Sequence, residues 1–135
     1  MRSILSAVLL LTCACAHGSA PTQQHRLSWG SVIINRSTIA AYGDSVVLDL
    51  VPEGDDGESL QNGKVWAIRI DLMGHEEGRS DPPIGVYRMG PIPAGYYHVF
   101  ARAIGYGGGD FFVTAFEGEH LRIRVIMRCD HPQCP

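Results

Sequence analysis

Between residues 85 and 106 the chain reads Gly-Val-Tyr-Arg-Met-Gly-Pro-Ile-Pro-Ala-Gly-Tyr-Tyr-His-Val-Phe-Ala-Arg-Ala-Ile-Gly-Tyr. Pro91 and Pro93 fix φ and remove two backbone donors, so no helix runs through this stretch. The prolines also hold the residues before them extended. After them Tyr97, Val99, Ala101 and Ala103 alternate with His98, Phe100 and Arg102, the period of a strand with one buried face. Tyr87 and Met89 give a shorter row before them. The segment is expected to form strand, Pro/Gly turn, strand and glycine stop, a hairpin of a β-sandwich. No group in it is suited to making or breaking bonds.

The same period-two pattern fills most of the chain. In Leu121 to Met127, Leu121, Ile123, Val125 and Met127 lie on one face. Arg122, Arg124 and Arg128 lie on the other, interrupted by Ile126. Such an arginine row is a solvated face that discourages edge pairing, although it could also serve as a stripe for an anionic ligand. Trp66, Ile68, Ile70 and Leu72 form another row, which places Trp66 toward the core. Phe111, Val113 and Ala115 form a further one, with Phe112 and Phe116 making that strand apolar on both faces. Val46, Leu48 and Leu50, and then Val32 and Ile34, complete the set. Asn62-Gly63 marks a tight turn, and Gly105 with Gly107 to Gly109 stops the Tyr97 strand. No amphipathic helix of useful length is present. The fold class is therefore all-β, a sandwich of about seven short strands.

The ends are different in kind. Residues 1–20 carry Arg2, an apolar run from Ile4 to Leu11 and then small residues, the order of a secretory signal peptide too short to span a bilayer. Cys15 or Cys13 stands where a bacterial lipoprotein carries its lipidated cysteine, although each local sequence matches that pattern only in part. Cleavage after Ala14-Cys15-Ala16 is the soluble alternative. Export is expected either way, to the outer membrane as a lipoprotein or to the periplasm or beyond. Residues 21–28 are polar and read as a tether, residues 29–128 as the sandwich, and residues 129–135 as a C-terminal tail. The export signal implies an oxidising compartment, where Cys129 and Cys134 read as a disulfide closing a small loop. A zinc site there would need four ligands, and Asp130 and His131 do not complete one. No metal and no cofactor is expected. The formal net charge of −3, with no long run of one sign, does not support a nucleic-acid footprint.

Asp56 to Val65 resembles the "G-E-P-L" entry to the second strand of the carboxypeptidase regulatory-like domain. Gly85-Val-Tyr87-Arg-Met89 resembles its "G-x-F-x-I", and Pro91-Ile-Pro93-Ala-Gly95-Tyr-Tyr97 its "P-x-P-x-G-x-Y". Gly105-Tyr106 and Gly118-Glu119 resemble the marks that close one strand and open the last. The likeness covers roughly Val46 to Met127. It implies a prealbumin-like (transthyretin-like) β-sandwich. In that family such domains stand beside metallocarboxypeptidase catalytic domains, in front of outer-membrane receptors, or repeated in bacterial surface proteins. Gly85, Tyr87, Pro93, Gly95, Tyr97, Gly105 and Tyr106 are then structural. Tyr97 is expected to put its ring in the core and its hydroxyl on a turn.

Catalytic patterns fall short. His75-Glu76-Glu77 lacks the His-x-x-Glu spacing of a metallocarboxypeptidase and the helical H-E-x-x-H, and reads as an exposed loop between Gly74 and Gly78. His98 and His120 read as surface or edge residues. Gly107-Gly-Gly109 has no following Lys-Ser/Thr and cradles no phosphate. The expectation is a non-catalytic cell-envelope module that contacts an envelope protein through a patch of Tyr96, Phe100 and Arg102. The alternative is a starch-binding-like carbohydrate module, for which Trp29, Trp66, Tyr96 and Phe100 are the aromatic candidates.

Overall fold

The computed structural model describes residues 22–57, 60, 63–69, 74–76, 79–80 and 85–130, with only the backbone described at 63–69, 74–76 and 79–80. The strands in chain order are β1 (Gln23–Leu27), β2 (Gly30–Thr38), β3 (Ser45–Gly54), β4 (Gly63–Arg69), β5 (Gly74–Glu76), β6 (Arg79–Ser80), β7 (Tyr87–Pro93), β8 (Gly95–Ala103), β9 (Tyr106–Ala115) and β10 (Glu119–Met127). Seven of them, β2, β3, β4, β7, β8, β9 and β10, run seven residues or more. A single 3₁₀ turn, Ala40–Tyr42, interrupts the described strands.

Two sheets result. One has the order β1-β2-β10-β3-β7-β6 and the other β5-β4-β8-β9. Neighbours are antiparallel except β10 and β3, which run parallel with Ile123 opposite Leu50. The alternating rows of the sequence supply both inner faces. Val32, Ile34, Val46, Leu48, Leu50, Tyr87, Met89, Leu121, Ile123, Val125 and Met127 from the first sheet meet Tyr97, Val99, Ala101, Phe111, Val113 and Ala115 from the second, all buried in one cluster. Tyr97 is 0% exposed, and its hydroxyl donates to the Pro93 carbonyl at 2.5 Å.

The segment from Gly85 to Tyr106 is not a hairpin within one sheet. β7 pairs with β3 and β6, whereas β8 pairs with β4 and β9, so the chain changes sheet at Ala94. Prolines explain why the strands do not pair with each other: neither Pro91 nor Pro93 offers a donor to a ladder. Both are tolerated in β7 because β6 covers only Tyr87 and Arg88, leaving the rest an edge on that side among the described residues. Gly90, at φ 133°, lies where the β3–β7 register shifts between Val46 and Leu48, and the Gly90–Pro91 peptide is cis. A Cβ on Gly90 would stand 2.8 Å from the Val46 carbonyl oxygen and 3.1 Å from Val47 Cα. Gly90→Ala is therefore expected to lose about 1–3 kcal/mol in urea denaturation; an unchanged midpoint would show that β3 and β7 approach less closely here.

Three further expectations are corrected. Of the expected tether 21–28, residues 23–27 are strand instead, since β1 pairs residue for residue with β2 from Gln23 opposite Ile34 to Leu27 opposite Gly30. Its exposed polar side chains suit an edge strand, which profits from being unattractive to other chains. The sheet thus begins before residue 29. Gly107 to Gly109 do not stop a strand but lie inside β9, and only Gly105, at φ 82°, serves the turn from β8. Gly74 to Glu76 are not loop but strand β5, set against Ala67 to Arg69. Residues 1–21, with Cys13 and Cys15, and residues 131–135, with Cys134, lie outside the described residues.

Candidate functional site

Because Tyr97, Val99 and Ala101 of β8 face inward, Tyr96, His98, Phe100 and Arg102 face outward. On β9 the inward row Phe111, Val113 and Ala115 leaves Asp110, Phe112 and Thr114 outside. The register brings the two outer rows together: His98 lies opposite Phe112, Phe100 opposite Asp110, and Tyr96 opposite Thr114. Side chains directly opposite or on the diagonal are within reach across an antiparallel pair.

The rings form one stacked row. Phe112 lies parallel to His98 within 15°, centroids 4.2 Å apart, and parallel to Tyr96 within 15° at 5.6 Å. His98 in turn meets Phe100 at 4.0 Å, tilted by 41°. His98 Nε2 and Asp110 Oδ2 are 2.6 Å apart, a hydrogen bond in which the ring nitrogen donates and which fixes the turn of the imidazole within the row. Tyr96 and Phe112 remain 43% and 51% exposed, so the row is an apolar ridge standing in water. Phe116, 61% exposed, continues the apolar surface past the end of β9 under the Arg36 guanidinium, 5.7 Å from its ring centroid.

The first sheet braces this edge. Arg36 of β2 donates to the Thr114 carbonyl at 2.9 Å and pairs with Glu119 at 2.7 Å. Trp29 Nε1 donates to the Asp110 carbonyl at 3.2 Å. Outward-facing backbone acceptors of β9 are thus covered by side chains, which hinders further strand pairing there. The glycine run makes room for this bracing: a Cβ at Gly107, Gly108 or Gly109 would strike Asp130, Arg102 or the Trp29 ring respectively.

Of the expected patch, Tyr96, Phe100 and Arg102 do share one face. Arg102 is exposed at its end. Phe112 and Asp110 were not part of that expectation, and they contribute the central ring and the acid. Trp29 is a brace rather than an open platform. The side chain of Trp66 lies outside the described residues; its backbone pairs opposite Phe100. Cys129 bridges Tyr106 by its backbone, with Sγ 3.4 Å from the Gly105 oxygen.

A second cluster of ionisable groups sits on the other sheet. Asp49 of β3 is 3% exposed. Arg88 donates to it through Nε and Nη2, both at 2.7 Å, and His120 Nε2 approaches Oδ2 at 2.7 Å. Burial pushes the Asp49 carboxyl up, but the hydrogen bonds and charges of Arg88 and His120 outweigh it and hold the carboxyl below its ordinary value. His98 and His120 are therefore not plain surface residues, since each is held by a carboxylate. Both Asp49 oxygens are engaged, and the cluster ties β7, β3 and β10 together.

No protein-family model matches the chain, and neither a curated protein nor a solved structure matches it.

Proposed function

We propose that this chain is a non-catalytic module of the bacterial cell envelope, exported under its N-terminal signal, held by a lipid on Cys15 or Cys13, and used to contact a partner protein through the ridge of Tyr96, Phe112, His98 and Phe100. In this reading the sandwich is prealbumin-like, the domain is of the carboxypeptidase regulatory-like kind, and Cys129 closes a loop with Cys134.

The observation that carries the contact role is the stacking itself. Phe112 has a stacked ring on each face, Tyr96 on one and His98 on the other, so the faces of the central ring are covered. A sugar that stacks on an aromatic needs an open face, whereas a protein surface packs well against ring edges and the apolar flanks between them. Tyrosine, phenylalanine and arginine on one exposed sheet face are also the residue types enriched where proteins meet. Support for the fold comes from the two sheets and from the buried Tyr87 and Tyr97 of the motif.

The reading is tested in intact cells with a photocrosslinking phenylalanine analogue at position 112, and in parallel at position 122 on the opposite sheet. A discrete protein adduct at 112 and none at 122 is expected. An adduct to the same protein is expected from position 100, and Tyr96→Ser combined with Phe112→Ser should abolish it while stability falls by only about 1–2 kcal/mol, the worth of one or two aromatic contacts. Adducts at 122 alone would reject the ridge as the contact surface. Selective glycan binding lost with Tyr96→Ala would favour the carbohydrate reading instead.

A further inference from the structure

At one end of the first sheet, on the face turned away from the core, the strands leave a hollow of about 230 Å³. Its position follows from register. Arg26 of β1 lies opposite Ser31 of β2, which lies opposite Ile126 of β10. Ser31 is the small residue of that row, so the surface dips between the larger side chains beside it. Two backbone bonds fix the rim. The Asp55 N–H donates to the Met127 carbonyl at 3.0 Å, and the Arg128 N–H donates to the Trp29 carbonyl at 3.1 Å. Arg26, Arg128 and Asp55 therefore surround one cavity, with Ile126 as its apolar wall.

The charges around it are not spent on each other. Arg124 and Glu53, next along the same face, close a bidentate pair at 2.9 and 2.7 Å. Among the described residues, Arg26, Arg128 and Asp55 make no such pair; Arg128 has only a 3.4 Å contact with the Ser28 carbonyl. Two guanidinium groups present planar forks that match a carboxylate. An ionised aspartate accepts only, and so suits an ammonium. We propose that this hollow binds a small zwitterion of the amino-acid type, with its carboxylate on Arg26 and Arg128, its ammonium on Asp55, and an apolar side chain against Ile126.

Full-length protein labelled with ¹⁵N is titrated with L-leucine, with 4-methylpentanoate, which lacks the ammonium, and with 3-methylbutylamine, which lacks the carboxylate. Leucine is expected to shift the amides of Arg26, Ser31, Asp55 and Arg128, and each single-charge analogue to bind about tenfold more weakly, the worth of one charge-assisted hydrogen bond. Asp55→Asn should bring leucine down to the affinity of 4-methylpentanoate and leave the latter unchanged. Ser31→Leu, which fills the hollow from its floor, should abolish all three titrations while the rest of the spectrum is retained. Equal affinity for leucine and 4-methylpentanoate would overturn the zwitterion assignment. No localised shifts up to about 10 mM leucine would overturn the site altogether.

Discussion

Replacing Tyr97 with alanine is expected to cost about 3–5 kcal/mol, the range for emptying a large aromatic site in a packed core. The ring is fully buried among the inner rows of both sheets. Its hydroxyl also satisfies the Pro93 carbonyl, at the corner where the chain leaves one sheet for the other. Alanine therefore removes two things, the packing that holds the sheets face to face and a partner for a turn carbonyl. Tyr97→Phe separates them. It keeps the ring and should cost only about 1 kcal/mol, the net worth of an ordinary hydrogen bond. Urea denaturation of both variants, with slopes compared to the parent, measures each term. Since a domain of this size has about 5–15 kcal/mol in all, the alanine variant should be near the limit of folding. A loss under about 1 kcal/mol for Tyr97→Ala would show that the ring does not bridge the sheets.

Much of this core was legible because burial on one face imposes a period of two. Leu121, Ile123, Val125 and Met127 show it directly, as do Val46, Leu48 and Leu50. Periodicity says which side of a strand is buried but not which strand lies beside it. The passage from β7 to β8 between sheets, and the parallel pairing of β10 with β3, depend on distant partners and leave no local pattern. β1 was missed for a related reason: its first four residues are exposed on both faces, so it shows no alternation at all. β3 fails in the opposite direction. It lies in the interior of its sheet, and Val47 and Asp49 on its outer face are buried too, at 5% and 3% exposure.

The ridge was half legible. Tyr96, Phe100 and Arg102 follow from the Tyr97 row by simple alternation. Phe112 was visible as an apolar residue on the wrong side of its strand, but its place against His98 depends on register. That register is set by the short turn at Ile104-Gly105 and shifted once between Ala101 and Ala103. A two-residue turn with glycine at positive φ is the signal that could have found it. The glycines at 107 to 109 misled because glycine usually punctuates strands; here it leaves space for side chains arriving from elsewhere.

Asp49 is the second position where a large effect is expected, and its size should depend on pH. At neutral pH, Asp49→Ala should lose about 2–3 kcal/mol. This is below the full cost of orphaning a buried ion, because Arg88 is exposed enough to be hydrated when its partner is gone. Asp49→Asn is the more telling variant, since it keeps the shape and removes the charge. The folded carboxyl has a pKa below the ordinary 3.8 because Arg88 and His120 overcome the opposing effect of burial. The unfolded chain therefore binds a proton at this carboxyl more readily than the folded one does. The stabilisation is complete above the unfolded pKa and is lost as pH falls through the lowered folded value. The stability gap between parent and Asp49→Asn, read from urea midpoints at a series of pH values, should be widest above the ordinary carboxylate range and close as pH falls below it. At the acid end the parent carries a neutral carboxyl, close in shape to the amide that replaced it, so the two proteins should converge there. A gap that stayed constant with pH would mean that the clamp owes its strength to packing and not to the carboxylate charge.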